Sequence, residues 1–105
     1  MDVLKVSARS SPNAVAGAIA GILREQGGVC LQVIGAGAIN QAVKAIAIAI
    51  SFVEEDGLEP VCVPSFHDVD IGGESRTAIR LTVEDRAGAQ VSLDEPHGRR
   101  AAPVE

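Results

Sequence analysis

The sequence predicts an α/β (α+β) fold: a single β-α-β-α-β-β domain with two helices packed on one four-stranded mixed sheet. Three observations carry that prediction. Two short apolar runs are each followed by a long segment whose apolar residues recur at helical spacing. Two further runs meet at Gly72-Gly73, a two-residue hairpin signal. The length, 105 residues and 10.8 kDa, is enough for one domain and leaves little room for a second.

Residues 2–8, with Val3, Leu4 and Val6, read as the first strand. Ser11 then supplies a helix cap, and Pro12 suits the first helical position, where its missing N–H is no loss. Val15, Ile19, Ile22 and Leu23 follow at i, i+4, i+7 and i+8, one buried face. Ala16, Gly17, Ala20 and Gly21 keep the rest of that helix thin enough for close approach to a neighbour, and Gly27-Gly28 ends it. Residues 29–34 are apolar nearly throughout, as in a central strand.

Gly35-Ala36-Gly37 turns the chain into a second helix over 37–55, with Ile39, Val43, Ile46, Ile50 and Val53 as its core stripe. Glu54, Glu55 and Asp56 close it against the helix dipole, and the sequence offers no stabilising role for them. The third strand runs from Val61 to Ile71 past a bend at Pro64. The fourth covers 76–84, with Thr77, Ile79, Leu81 and Val83 on one face. No period is sustained beyond Arg86, so residues 1–86 read as the domain and 87–105 as a poorly ordered tail.

Composition narrows the function. Hydrophobic residues make up 47% and charged residues 22%, the balance of a globular chain. Phe52 and Phe66 are the only aromatics, which removes a base-stacking platform or an aromatic cage. The net charge of −5 excludes a chain that coats DNA by charge alone. Cys30 and Cys62 stand in apolar runs and read as small buried hydrophobes, reduced, in a cytoplasmic protein. The N-terminus lacks the pattern of a signal peptide, and the most apolar stretch, 42–53, carries Lys44 and is too short to span a bilayer. No membrane partner is expected.

No catalytic set, metal site or cofactor is expected. The 35–37 turn resembles a dinucleotide fingerprint, but the third glycine position is Asn40 and the required acid falls at the acidic helix exit, so that reading fails. His67, Asp68 and Asp70 have loose metal-ligand spacing, and strand alternation sends His67 and Asp68 to opposite faces. A glycine turn opening a helix does expose N–H groups that suit one phosphate, against the plainer alternative of a tight turn with no ligand. Arg9, Ser10 and Ser11 stand at the matching end of the first strand, where a cap beside a solvated Arg is the plainer alternative. If the two strands are parallel, both helix starts open on one edge. Asn40 and Lys44, at i and i+4, then point to one side near it. On the second helix Ala45, Ile48 and Phe52 make another apolar stripe, away from the core stripe, which predicts a symmetric homodimer or larger even assembly.

The runs 4–13, 34–49 and 76–79, including Ile34-Gly35-Ala36-Gly37-Ala38-Ile39-Asn40-Gln41-Ala42-Val43-Lys44, closely resemble the stage V sporulation protein S family over residues 1–86. That family is similar to the Alba-like proteins, dimeric nucleic-acid binders of β-α-β-α-β-β order. The resemblance implies a role in sporulation and development. It also implies a nucleic-acid interface at Arg9, Ser10, Ser11, Gly37, Asn40 and Lys44. The hairpin departs from the Alba pattern: Asp68, Asp70 and Glu74 surround the Gly-Gly turn, with only Arg76 positive, and such arms repel a phosphate backbone. The expected function is a non-enzymatic regulator that binds DNA or RNA weakly and without base specificity. The competing expectations are a protein-interaction or assembly module of the same fold, and a binder of a small anionic metabolite at the 35–37 turn.

Overall fold

The computed structural model describes residues 1–87; the stretch read as a tail lies, from residue 88 on, outside them. The element order is β1 (Val3–Val6), α1 (Pro12–Gln26), β2 (Gly28–Val33), α2 (Ala36–Val53), a single 3-10 turn (Glu54–Asp56), β3 (Pro60–Ile71) and β4 (Glu74–Asp85). The strands form one mixed sheet in the order β1-β2-β4-β3. β1 and β2 are parallel, and β4 is antiparallel to both its neighbours. The expected fold class therefore holds, with β2 inside the sheet.

Local chemistry sets the element ends. Ser11 caps α1, its Oγ accepting the Ala14 N–H at 3.3 Å, and Pro12 occupies the first turn. Gly72 and Gly73 join β3 to β4 with φ of 59° and 82°, the doubly positive pair of a tight hairpin turn. Pairing then runs without a break from Ile71↔Glu74 to Pro60↔Asp85, straight through Pro64↔Leu81, so the expected bend interrupts no pairing. Pro64 is tolerated because β3 is outermost in the sheet.

The core lies between the helices and one face of the sheet. Ile19, Leu23, Val29, Leu31, Val33 and Val83 are its fully buried large residues, or nearly so. On α2 the buried residues are Ala38, Ala42, Ala45, Ile46, Ala49 and Val53. That corrects the expected stripe by a rotation of roughly 70° about the helix axis at 100° per residue. Val43 is 53% exposed, and Ile39 and Ile50 are half-buried at the core margin. The reason is size. α1 and α2 run side by side and present Ala16, Ala20, Ala42, Ala45 and Ala49 to the interior, where only small side chains admit such close packing.

Ala45 is thus wholly buried in the chain's own core and does not belong to an outward stripe; Ile48 is half-buried against that core, and Phe52 is exposed. Gly17 and Gly21 were expected at a close approach, yet each faces open space. Cys30 is buried as expected but Cys62 is exposed, because the helices do not reach out over β3. The helical stretch Ala36–Asp56 is long and apolar enough to cross a bilayer, contrary to the length read from 42–53, and in this fold its buried side forms core. The acidic exit gains one partner: Arg24 Nε on α1 meets Asp56 Oδ2 at 2.8 Å, and Arg24 also donates to the Phe52 carbonyl.

Candidate nucleic-acid interface

Parallel pairing of β1 and β2 sends both following helices off the same sheet edge, so the starts of α1 and α2 are neighbours. Two contacts join them. Gln41 Nε2 donates to the Ser10 carbonyl at 3.0 Å, and Gly37 lies so close to the β1–α1 loop that a Cβ there would stand 2.9 Å from the Ala8 methyl. Any side chain at position 37 would push the loop away. Gly37 is therefore required for close approach.

The loop is ordered by its own serines. Ser10 Oγ accepts the Ser7 N–H at 2.9 Å, Ser10 N–H donates to the Ser7 carbonyl at 3.1 Å, and Ser7 Oγ accepts the Arg9 N–H at 3.1 Å. This network holds the backbone of Arg9 while leaving its side chain exposed. Ser10 and Ser11 hydroxyls thus shape the loop and cap α1, respectively. At the start of α2, Gly35 makes no side-chain cap bond, so the first-turn N–H groups keep their positive end open.

Asn40 and Lys44 are both exposed on the outer side of α2, at i and i+4. Among the described residues, ion pairs are confined to Arg24–Asp56 and Arg86–Glu59, so Arg9 and Lys44 carry uncompensated charge on this edge. The structure brings Gly37 against Ala8 and Gln41 against Ser10, so that the loop carrying Arg9, Ser10 and Ser11 adjoins the start of α2, with Asn40 and Lys44 farther along that helix. Gln41 is the residue that sequence reasoning missed. Its role depends on which side of α2 faces α1, and the apolar stripe pointed to the wrong side.

The arm formed by the outer halves of β3 and β4 presents opposite chemistry. Asp68, Asp70 and Glu74 are exposed there beside Arg76, and Thr77 Oγ1 lies 3.4 Å from Asp68 Oδ1. Among the described residues no group of three or more His, Cys, Asp or Glu side chains is placed to hold a metal ion. His97 lies outside the described residues. Although Cys62 is exposed as a residue, partial burial of its thiol, and secondarily the nearby Cys30, push that thiol up. That makes Cys62 a poor nucleophile at neutral pH.

The family model of Stage V sporulation protein S (SpoVS) matches residues 2–86, which contain every element just described.

Proposed function

The chain belongs to the stage V sporulation protein S family, which carries a sporulation-related role, and from that premise we propose that it is a non-enzymatic, cytoplasmic regulator that binds nucleic acid weakly at the Arg9–Lys44 edge. The observation that supports this reading most is the Gln41–Ser10 bond. It locks an Arg-bearing loop against an uncapped helix start, and the exposed cations there lack carboxylate partners among the described residues. Such a site recognises phosphate by charge and backbone donors, contacts that fix position on a backbone without reading its sequence.

Isotherms on duplex DNA and on RNA, each at two salt concentrations, test the proposal. Weak binding to either, with a slope of about −0.9 per duplex phosphate contacted, is the expected result. Arg9→Glu with Lys44→Glu abolishes it, whereas Arg80→Glu, on the far side of the sheet, matters less. A double variant that binds like the parent overturns the assignment.

The same reading includes a homodimer or larger even assembly. Phe52 is 41% exposed on α2 with Ile48 one turn before it, an apolar pair that a second copy would cover. Two copies of a weak edge on one particle raise its effective affinity. Sedimentation of the parent as a dimer, and of Ile48→Asp with Phe52→Ser as a monomer, is expected; a monomeric parent at micromolar concentration sinks the idea. A protein-interaction module is the second reading. The acidic arm favours it, because Phe66 stands 81% exposed there within a chain of net charge −5.

A further inference from the structure

The sheet face turned away from the helices is not flat. Lys5, Gln32 and Arg80 lie in one row across β1, β2 and β4, as their pairing shows. They alternate with the buried residues Val6, Val33 and Leu81, so their side chains leave the opposite face. At this face Lys5, Gln32 and Arg80 line a groove of about 610 Å³ together with Val69, Asp70 and Ile71 near the tip of β3.

The row is set up to donate. Arg80 Nε donates to Gln32 Oε1 at 3.0 Å, which uses the only acceptor in the row and fixes the guanidinium. The Gln32 NH₂, the outer Arg80 N–H groups and the Lys5 ammonium remain as donors. Neither Lys5 nor Arg80 has a carboxylate within ion-pair distance among the described residues. Two cations face one carboxylate, Asp70, so the groove carries an excess positive charge inside an acidic protein. Its walls add apolar surface, with Val3 42% and Ile71 49% exposed. The volume falls within the roughly 300–1,000 Å³ of small-molecule sites.

We propose that this groove binds a small organic anion, a phosphate or carboxylate on an apolar body, whose charged group sits on the Lys5–Gln32–Arg80 row. A polyanion suits it poorly, because Asp68, Asp70 and Glu74 crowd the same arm. The site lies on the face opposite the helices and does not depend on the nucleic-acid reading.

Amide spectra of the full chain, titrated with adenosine monophosphate and separately with hexanoate, test it. Expected are saturable shifts of the Gln32 side-chain amide and the Arg80 Nε–H at millimolar ligand or below, and the two probes distinguish a phosphate from a carboxylate source. Lys5→Ala, an exposed substitution, weakens binding about tenfold, the scale of one lost charge-assisted bond. Asp70→Asn tightens it, and Arg9→Glu with Lys44→Glu leaves it unchanged. The proposal is overturned by the absence of saturable shifts at Gln32 and Arg80 with both probes, by a Lys5→Ala variant that binds like the parent, or by loss of binding in the Arg9/Lys44 variant.

Discussion

The β1-α1-β2-α2 half and the β3-β4 arm are built on opposite economies of surface. In the first half, β2 is buried along almost its whole length and two helices share a face of alanines. In the arm, twelve-residue strands outrun the sheet, and only the inner end of β4 meets that core, at Leu81 and Val83 with Ile79 packed against it. Charge divides the same way. The uncompensated cations Arg9 and Lys44 stand before α1 and midway along α2, while three acids surround the arm's turn. The difference teaches that one small fold separates the part that holds it together from the part that reaches outward.

The comparison is broken most forcefully from inside the first half. Ile19→Ala removes a fully buried side chain and is expected to cost about 2–5 kcal/mol in urea unfolding. A loss below about 1 kcal/mol would show that the interior collapses freely around the site. In the arm, Gly73→Ala places a side chain at φ 82° and is expected to cost about 1–3 kcal/mol. Phe66→Ser, on an 81% exposed residue, should leave the unfolding midpoint within about 0.5 kcal/mol of the parent. A larger loss there would mean that the arm is covered after all.

The smallest effect concerns pH. Because the folded state raises the Cys62 thiol, it favours the neutral form. The associated stability is present below the thiol's unfolded pKa and is lost as pH rises through the folded one. Iodoacetamide labelling of native chain should therefore need a higher pH at Cys62 than denatured chain does. Equal profiles would contradict the shielding.

Element order, the Ser11 cap, the glycine hairpin and parallel β1–β2 pairing were legible because each rests on local chemistry or on simple alternation. The helix starts of the candidate interface followed from that topology. What could not be read was the facing of α2. It carries Ile or Val at many angles, and hydrophobicity alone points to the bulky residues at Ile39, Val43 and Ile50. Close packing instead chose the alanines, which drew Ala45 inward and put Gln41 against Ser10. Cys62 was misread for a related reason: an apolar run does not reveal that two helices are too few to roof four strands.

β3 closes the sheet with an outer rim that no other described strand pairs. Such a rim invites head-to-tail strand addition, which grows without closing and ends in fibres rather than in a counted assembly. Pro64 in the middle of this rim and the acids Asp68 and Asp70 farther along are residue types that discourage that growth. They act as gatekeepers. A chain with one exposed strand rim stays dispersed only if that rim is spoiled, and the arm's acidity serves that end whatever it touches.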